Sequence, residues 1–169
     1  MPDCGSLTGT VVDTGTYFRD AVDNCVQLIN EHLSSLSVQG VPLVATEVHN
    51  YDNILVFHTP SVCVVFDNAI VNKSRINKCI EYGINIVIYF YFQSLSFGND
   101  TRPFIDPLYR LMEMFVVHWD LYGFCNGTSE GVIVTNCGLV GRHLQSDAFL
   151  TGQLNIMVPK RACRGSDHS

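Results

Sequence analysis

Cysteine and histidine are the residue types in this chain that most readily supply a nucleophile, a general base or a metal ligand. The chain has seven cysteines and six histidines. The cysteines are Cys4, Cys25, Cys63, Cys79, Cys125, Cys137 and Cys163. No CxxC pair occurs, whereas structural zinc sites usually show ligands two to four residues apart. Cys25 and Cys63 lie within apolar patterns, where free cysteine packs as a small hydrophobic residue. The pattern therefore predicts reduced thiols, most of them buried, and no metal site.

The histidines form no catalytic motif. His32 and His118 fall in predicted helices, and His49 and His58 fall at predicted strand ends. The sequence has no GxSxG, GxGxxG or HExxH motif and no phosphate-binding glycine loop. A nucleophilic cysteine–histidine pair stays open as an alternative, because such partners are distant in sequence. We predict no catalytic residue and no cofactor, and we expect that the protein is not an enzyme.

The most regular apolar alternation in the chain predicts a central strand from Gly83 to Gln93. Successive side chains of a strand point to opposite faces, and β-branched and aromatic residues favour strands. One predicted face comprises Ile84, Ile86, Ile88, Phe90 and Phe92. The other comprises Asn85, Val87, Tyr89, Tyr91 and Gln93. The strand is therefore expected to have one core face and one semi-polar face that needs partial cover.

Two helices are predicted on either side of this strand. Apolar residues recur at three- and four-residue steps from Tyr17 to Ser37, which predicts an amphipathic helix. Asp106-Pro107 is a typical helix start, because Asp caps free amides and Pro fits the first turn. The helix that follows is expected to end near Gly123, with Leu111, Phe115 and Trp119 in its core stripe.

The remaining apolar segments read as strands. They are residues 41–48, 53–57, 61–66, 132–141 and 148–158. Asp67-Asn68 is expected to open a turn, and Gly83 to mark a bulge at the entry of the central strand. The sequence thus predicts an α+β fold: a mainly antiparallel sheet with two helices packed on one face, plus an extended hairpin. We expect a flexible arm over residues 1–15, a single domain over 16–158 and a flexible tail over 159–169.

The charge content argues for a protein interface and against nucleic-acid binding. The net charge is −6 and only 15% of residues are charged, against about 25% in average soluble domains. Such a surface is typical of a homo-oligomer or of a monomer rich in Ser, Thr and Asn. No Lys/Arg run exceeds Lys160-Arg161, whereas phosphate binding needs clustered positive charge. No apolar run reaches the roughly 20 residues of a membrane span, and no signal sequence precedes the domain, so we expect a cytosolic product.

A mixed-charge excursion between two apolar strands is the predicted subunit contact. It spans residues 68–82 and holds three of the ten basic residues. Tyr89 and Tyr91 are added because an interface explains them better than a stacking platform for single-stranded nucleic acid, which would need nearby basic residues. The predicted interface residues are Ile70, Val71, Lys73, Arg75, Ile76, Lys78, Tyr89 and Tyr91.

The order of elements over residues 15 to 160 resembles the tail terminator proteins of tailed bacteriophages, also called tail-completion or tail-to-head joining proteins. That family has a P-x-V-x-V strand, an extended hairpin and a final L-x-x-x-V strand in this order. Here the corresponding segments are Pro60-Ser-Val-Cys-Val-Val-Phe66, the excursion 68–81 with the strand 84–92, and Gln153-Leu-Asn-Ile-Met-Val158. The N-terminal arm, the C-terminal tail and the seven cysteines depart from compact terminators, which leaves room for another neck or minor tail protein.

The resemblance implies a structural virion protein of the tail and neck, made in the host cytoplasm. Such proteins form rings, usually hexamers, that end growth of the tail tube and join the tail to the head. The implied partners are other copies of the chain, the tail tube protein and a head-completion or connector protein. DNA would only pass through the lumen, without specific binding, and no membrane is involved.

A second interpretation comes from a different class of function. It is a small cytosolic α+β enzyme or ligand-binding domain that uses a pocket containing cysteine or histidine. An enzyme predicts a deep pocket with perturbed titratable groups, whereas a ring subunit predicts a large flat interface.

Overall fold

The fold is described from a computed structural model of the chain. It describes residues 17–33, 37–38, 41–42, 48–49, 61–72, 79–93, 102–128, 130–144 and 147–163. In chain order the elements are α1 (Tyr17–His32), β1 (Ser37–Val38), β2 (Val41–Pro42), β3 (Val48–His49), β4 (Ser61–Asn72), β5 (Cys79–Gln93), α2 (Arg102–Val117), β6 (Ile133–Leu144) and β7 (Asp147–Cys163).

The main sheet has five strands in the order β3-β4-β5-β7-β6. β4, β5, β7 and β6 are antiparallel neighbours, and the short β3 pairs parallel to β4. β1 and β2 form a separate antiparallel pair. Both helices pack on one face of the sheet, with α1 over β3, β4 and β5, and α2 over β6 and β7. The predicted α+β fold with a mainly antiparallel sheet is confirmed.

The core lies between the helices and the even-numbered face of β5. Ile84, Ile86, Ile88 and Phe90 are all fully buried, as the alternation predicts. In register, Ile88 lies between Val64 of β4 and Leu154 of β7. Neighbouring rows repeat this arrangement, so apolar side chains from three strands form a continuous layer under the helices.

The helices cover this layer with apolar stripes of their own. On α1 the buried residues are Ala21, Val22, Cys25, Leu28 and Ile29. Phe18 stacks on Phe66 of β4 with ring centroids 5.2 Å apart, which places α1 over that strand. On α2, Leu111 and Phe115 are fully buried, so the predicted core stripe is confirmed for these two residues.

Five sequence predictions need correction. α2 begins at Arg102, because Pro103 fits the first turn, where its missing amide would have no helical partner; Pro107 lies inside the helix. Trp119 was expected in the core, but 56% of its surface is exposed, because α2 ends at Val117 and the chain turns.

The other three corrections concern the strands. Asp67 and Asn68 do not open a turn: β4 continues to Asn72, with a bulge between Phe66 and Asn68. The predicted bulge at Gly83 is absent from the described ladder, where that residue pairs regularly with Ile70. β7 runs to Cys163, past the position where the tail was expected to begin. Most of the predicted strands 41–48 and 53–57 lies outside the described residues.

Candidate subunit interface

The distal part of the β4–β5 hairpin exposes apolar side chains. Ile70 and Val71 are 55% and 52% exposed, and Ile80 of β5 is 42% exposed. The side chains of Ile70 and Val71 lie on opposite faces, since Ile70 is in register with Gly83 and Val71 with Tyr82. The other predicted contact residues of the hairpin, Lys73, Arg75, Ile76 and Lys78, lie outside the described residues.

Among the described residues, the outer edge of β4 is unpaired along most of its length. Within the described chain, the only strand beyond β4 is β3, which pairs with Val62 and Cys63. From Val64 to Asn72 no described strand pairs with that edge. The bulge at Asp67 interrupts it, and Ile70 and Val71 follow the bulge. An unpaired edge with exposed apolar residues is a template for pairing with another chain.

The face of the main sheet opposite the helices is rich in amides. From the row Ser61–Tyr91–Thr151 to the row Asn68–Asn85–Met157, none of the paired residues on this face is Asp, Glu, Lys, Arg or His, and the one charged neighbour is the bulge residue Asp67, whose carboxylate accepts from the Asn68 amide at 3.0 Å. We call it the amide face, since five of its residues are amides; its members are Ser61, Cys63, Val65, Asn68, Asn85, Val87, Tyr89, Tyr91, Ile133, Asn136, Gly138, Val140, Thr151, Gln153, Asn155 and Met157.

Hydrogen bonds link the amides across and along the strands. Asn85 Nδ2 donates to Asn68 Oδ1 at 2.7 Å, which joins β5 to β4. Gln153 Nε2 donates to Asn155 Oδ1 at 3.0 Å along β7. The amide groups therefore hold one another in place, and they offer neutral donors and acceptors to whatever covers this face.

Tyr89 and Tyr91 lie on the amide face as the alternation predicts. Their rings stack with centroids 5.9 Å apart, and the interplanar angle is 28°. Tyr89 is half-buried, but Tyr91 has only 1% of its surface exposed, so it presents almost nothing to a partner. Ser61 and Thr151 flank Tyr91 in the same cross-strand row and are equally buried. Their two hydroxyl groups have no hydrogen-bond partner in the part of the chain that the structure describes.

A second apolar surface runs along the outer side of α2. Ile105, Tyr109 and Val116 recur at helical spacing and are 53–56% exposed. Val117, the last residue of α2, and Trp119, just after it, are also exposed, at 63% and 56%. This α2 stripe (Ile105, Tyr109, Val116, Val117, Trp119) was not predicted, because the sequence pattern identifies the buried side of a helix and says little of apolar residues on the other.

Two histidines and a carboxylate lie close together at one place on the surface. The rings of His32, the last residue of α1, and His118, just after α2, have centroids 4.9 Å apart. The Tyr122 hydroxyl donates to the Glu31 carboxylate, which with a bond from Gln27 lowers the pKa of Glu31. Partial burial and then the Glu31 carboxylate raise the pKa of Tyr122 to about 12. Glu31 is open to solvent, so this cluster lacks the enclosed environment of a catalytic carboxylate.

Three of the described thiols, those of Cys25, Cys125 and Cys137, are not activated for nucleophilic chemistry. Cys25, Cys63 and Cys125 are buried, and Cys137 is half-buried. Burial raises the pKa of Cys25 and of Cys137, and it raises the pKa of Cys125 to about 11. A nucleophilic cysteine needs a lowered pKa, so these three thiols do not fit that role.

In the described ranges, no group of three or more His, Cys, Asp or Glu side chains is arranged to hold a metal ion. Neither α1 nor α2, the helices that the structure describes, has the length and apolarity to cross a membrane. No protein-family model matches the chain, and no curated protein sequence matches it.

Proposed function

We propose that the protein is a structural subunit of a homo-oligomeric ring, of the tail-terminator type, at the head-proximal end of a phage tail. In this role it ends growth of the tail tube and joins the tail to the neck. The order of elements supports this proposal, because the described chain has an N-terminal helix, a long hairpin, a second helix and a closing hairpin.

The observation that carries the proposal is the outer edge of β4, with which no described strand pairs from Val64 to Asn72. A long edge with exposed apolar residues exposes a monomer to uncontrolled strand pairing. Beyond the bulge at Asp67, Ile70 and Val71 are each more than half exposed, although a Lys or Pro there would protect a monomer. An edge of this kind is what a subunit that pairs with its neighbour requires.

The α2 stripe supplies a second, different surface for such a contact. A ring needs a heterologous interface, in which two unlike surfaces of the same chain meet. β4 lies near one lateral edge of the sheet, whereas α2 packs over β6 and β7 near the opposite edge. From its exposed fractions the α2 stripe offers roughly 500 Å² of apolar surface, the size at which a patch on a monomer is often functional. With surrounding polar surface it approaches the ~800 Å² per partner of a stable interface.

The amide face suits a particle through which DNA passes without binding. Phosphate contacts need Lys or Arg, and this face has neither. The net charge of −6 acts in the same direction, since an acidic lumen repels the DNA backbone. The proposed partners remain further copies of the chain, the tail tube protein and a head-completion or connector protein.

The enzyme interpretation has less support. The raised pKa values of Cys25 and Cys125 and the solvent-exposed Glu31 do not fit an activated nucleophile or an enclosed acid.

A double substitution on the β4 edge tests the proposal. Ile70→Lys with Val71→Lys puts two charges on the edge without touching the core, because both side chains are more than half exposed. The wild-type protein is expected to form rings at high concentration, or on tail tubes isolated from phage particles of the same source. The variant is expected to stay monomeric and leave the tubes uncapped. Sedimentation velocity and negative-stain images measure both.

A matched control adds the same two charges elsewhere. Asn30→Lys with Asn126→Lys alters exposed positions on α1 and on the turn after α2, and this protein should still assemble. Rings formed by the Ile70/Val71 variant would remove the β4 edge as the contact. A wild-type protein that neither self-associates nor binds tail tubes would refute the structural role itself.

A further inference from the structure

Two cysteines that are far apart in sequence stand opposite each other in the sheet. Cys79 is the first residue of β5, Cys163 is the last residue of β7, and the two are partners in the antiparallel register. Directly opposite residues in an antiparallel pair have Cα atoms about 4.5–5.5 Å apart. Disulfide-bonded cysteines have Cα atoms about 4.4–6.8 Å apart, so the backbone already meets the distance requirement.

We propose that Cys79 and Cys163 are a site of covalent modification: they form a cross-strand disulfide when the protein leaves a reducing compartment. The bond joins the start of β5, at the distal end of the β4–β5 hairpin, to the end of the last strand. Each residue lies at the end of a long strand, where the backbone hydrogen bonds between strands otherwise break most easily.

The other cysteines in the described strands have different neighbours. Cys63 is opposite Tyr89, and Cys137 is opposite Leu154. Among the described strands, Cys79 and Cys163 are therefore the one pair of cysteines in direct register. Cys25 and Cys125 are both buried in the core as free thiols, where an oxidant has poor access.

The reaction balances as a thiol–disulfide exchange with glutathione disulfide. The thiolate of one cysteine attacks a sulfur of glutathione disulfide, releases one glutathione thiolate and leaves a mixed disulfide on the protein. The second cysteine loses its proton and attacks the protein sulfur of that mixed disulfide, which releases the second glutathione. The protein loses two electrons and two protons, and the two glutathione molecules gain them.

The expected consequence is greater stability of the oxidised protein. The bond closes a loop of more than half the chain, from residue 79 to residue 163, and so restricts the unfolded chain. Thiols of a protein made in a reducing cytoplasm stay reduced, and the bond would form only after release into an oxidising medium. The inference does not rest on ring formation, since a monomer can form the bond.

Peptide mapping of the wild-type protein is the direct test. The purified protein is incubated in a glutathione/glutathione disulfide buffer, alkylated and digested with trypsin. Cleavage after Lys78, Arg161 and Arg164 leaves Cys79 at the start of one peptide and Cys163 in the tripeptide Ala162-Cys163-Arg164. We expect these two peptides to be joined in the oxidised sample and separate after reduction.

Substitutions connect the bond to stability. The melting temperature of the wild-type protein should be about 5–15 °C higher in the oxidising than in the reducing buffer. Cys137→Ser, the matched control, should keep this difference, and Cys79→Ser or Cys163→Ser should remove it.

Several results would overturn the inference. They are the absence of the joined peptides, a stable glutathione adduct on Cys79, or a disulfide that links two copies of the chain in place of these two residues. If Cys79→Ser does not fold, the wild-type peptide map and melting difference still decide the question. A ring that fails to assemble while the joined peptides form would refute the proposed function and leave this site intact.

Discussion

Gly131 and Gly138 offer a paired test of how the chain passes from α2 to β6. A Cβ at Gly131 would lie 2.5 Å from the backbone oxygen of Trp119 and 2.5 Å from Cε3 of its ring. That oxygen also accepts a hydrogen bond from the Val132 amide at 2.8 Å, so it is fixed in place. At Gly138 nothing lies within 4 Å of an added Cβ.

Gly131→Ala should therefore destabilise the protein by about 2–4 kcal/mol. The chain must relieve the overlap by shifting the strand entry, which costs about 1–3 kcal/mol, and by weakening the Val132 bond, which costs about 1 kcal/mol more. Gly138→Ala should leave stability unchanged or raise it by about 0.5–1 kcal/mol, because alanine restricts the unfolded chain more than glycine does.

Urea denaturation followed by circular dichroism measures both variants. For a domain of this size, the expected loss at Gly131 corresponds to a melting temperature lower by roughly 5–15 °C. Equal stability of Gly131→Ala and Gly138→Ala would show that the turn after α2 does not pass this close to Trp119.

Three further predictions concern the core, a buried hydroxyl and a surface carboxylate. Phe115→Ala should cost about 3–5 kcal/mol through the cavity it leaves, and the exposed Glu113→Ala under about 0.5 kcal/mol; similar losses in urea denaturation would contradict the orientation of α2. Thr151→Val should stabilise the protein by about 1 kcal/mol, because the buried hydroxyl has no hydrogen-bond partner among the described residues; a clear loss of stability would mean that it has one. The hydrogen bond from Tyr122 lowers the pKa of Glu31. The contribution of this bond to folding stability is therefore present above the ordinary glutamate pKa and is lost as the pH falls through the lowered pKa. Tyr122→Phe should raise the pKa of Glu31 in an NMR titration, and an unchanged pKa would exclude that bond as the cause.

Sequence periodicity predicts the central layers of this fold well. The alternation from Ile84 to Phe90 and the stripe of α1 follow directly from strand and helix geometry, and each names the side that is buried. Local capping signals are less reliable, because two overlapping signals compete at the start of α2. Asp106-Pro107 resembles a helix start, but Arg102-Pro103 comes first, and the helix continues through Pro107.

Features that depend on strand register cannot be read from one sequence. Asp67-Asn68 has the composition of a turn, yet it forms a bulge because β5 continues to pair beyond it. The meeting of Cys79 with Cys163 depends on how β5 and β7 align, and nothing local to either segment fixes that alignment. The α2 stripe was missed for a different reason, since exposed apolar residues have meaning only when their shared surface is known.

The bulge at Asp67 makes an open β4 edge compatible with specific assembly. A flat and regular edge would accept any strand in several registers, and this leads to aggregation. Here the bulge interrupts the edge, and the Asn68 amide is held between Asp67 and Asn85 by hydrogen bonds of 3.0 and 2.7 Å. A strand that adds to this edge must match the interruption, and apolar contact is available only beyond it, at Ile70 and Val71. The bulge therefore restricts the edge to a partner of matching shape, which a second copy of the chain can supply in every subunit of a ring.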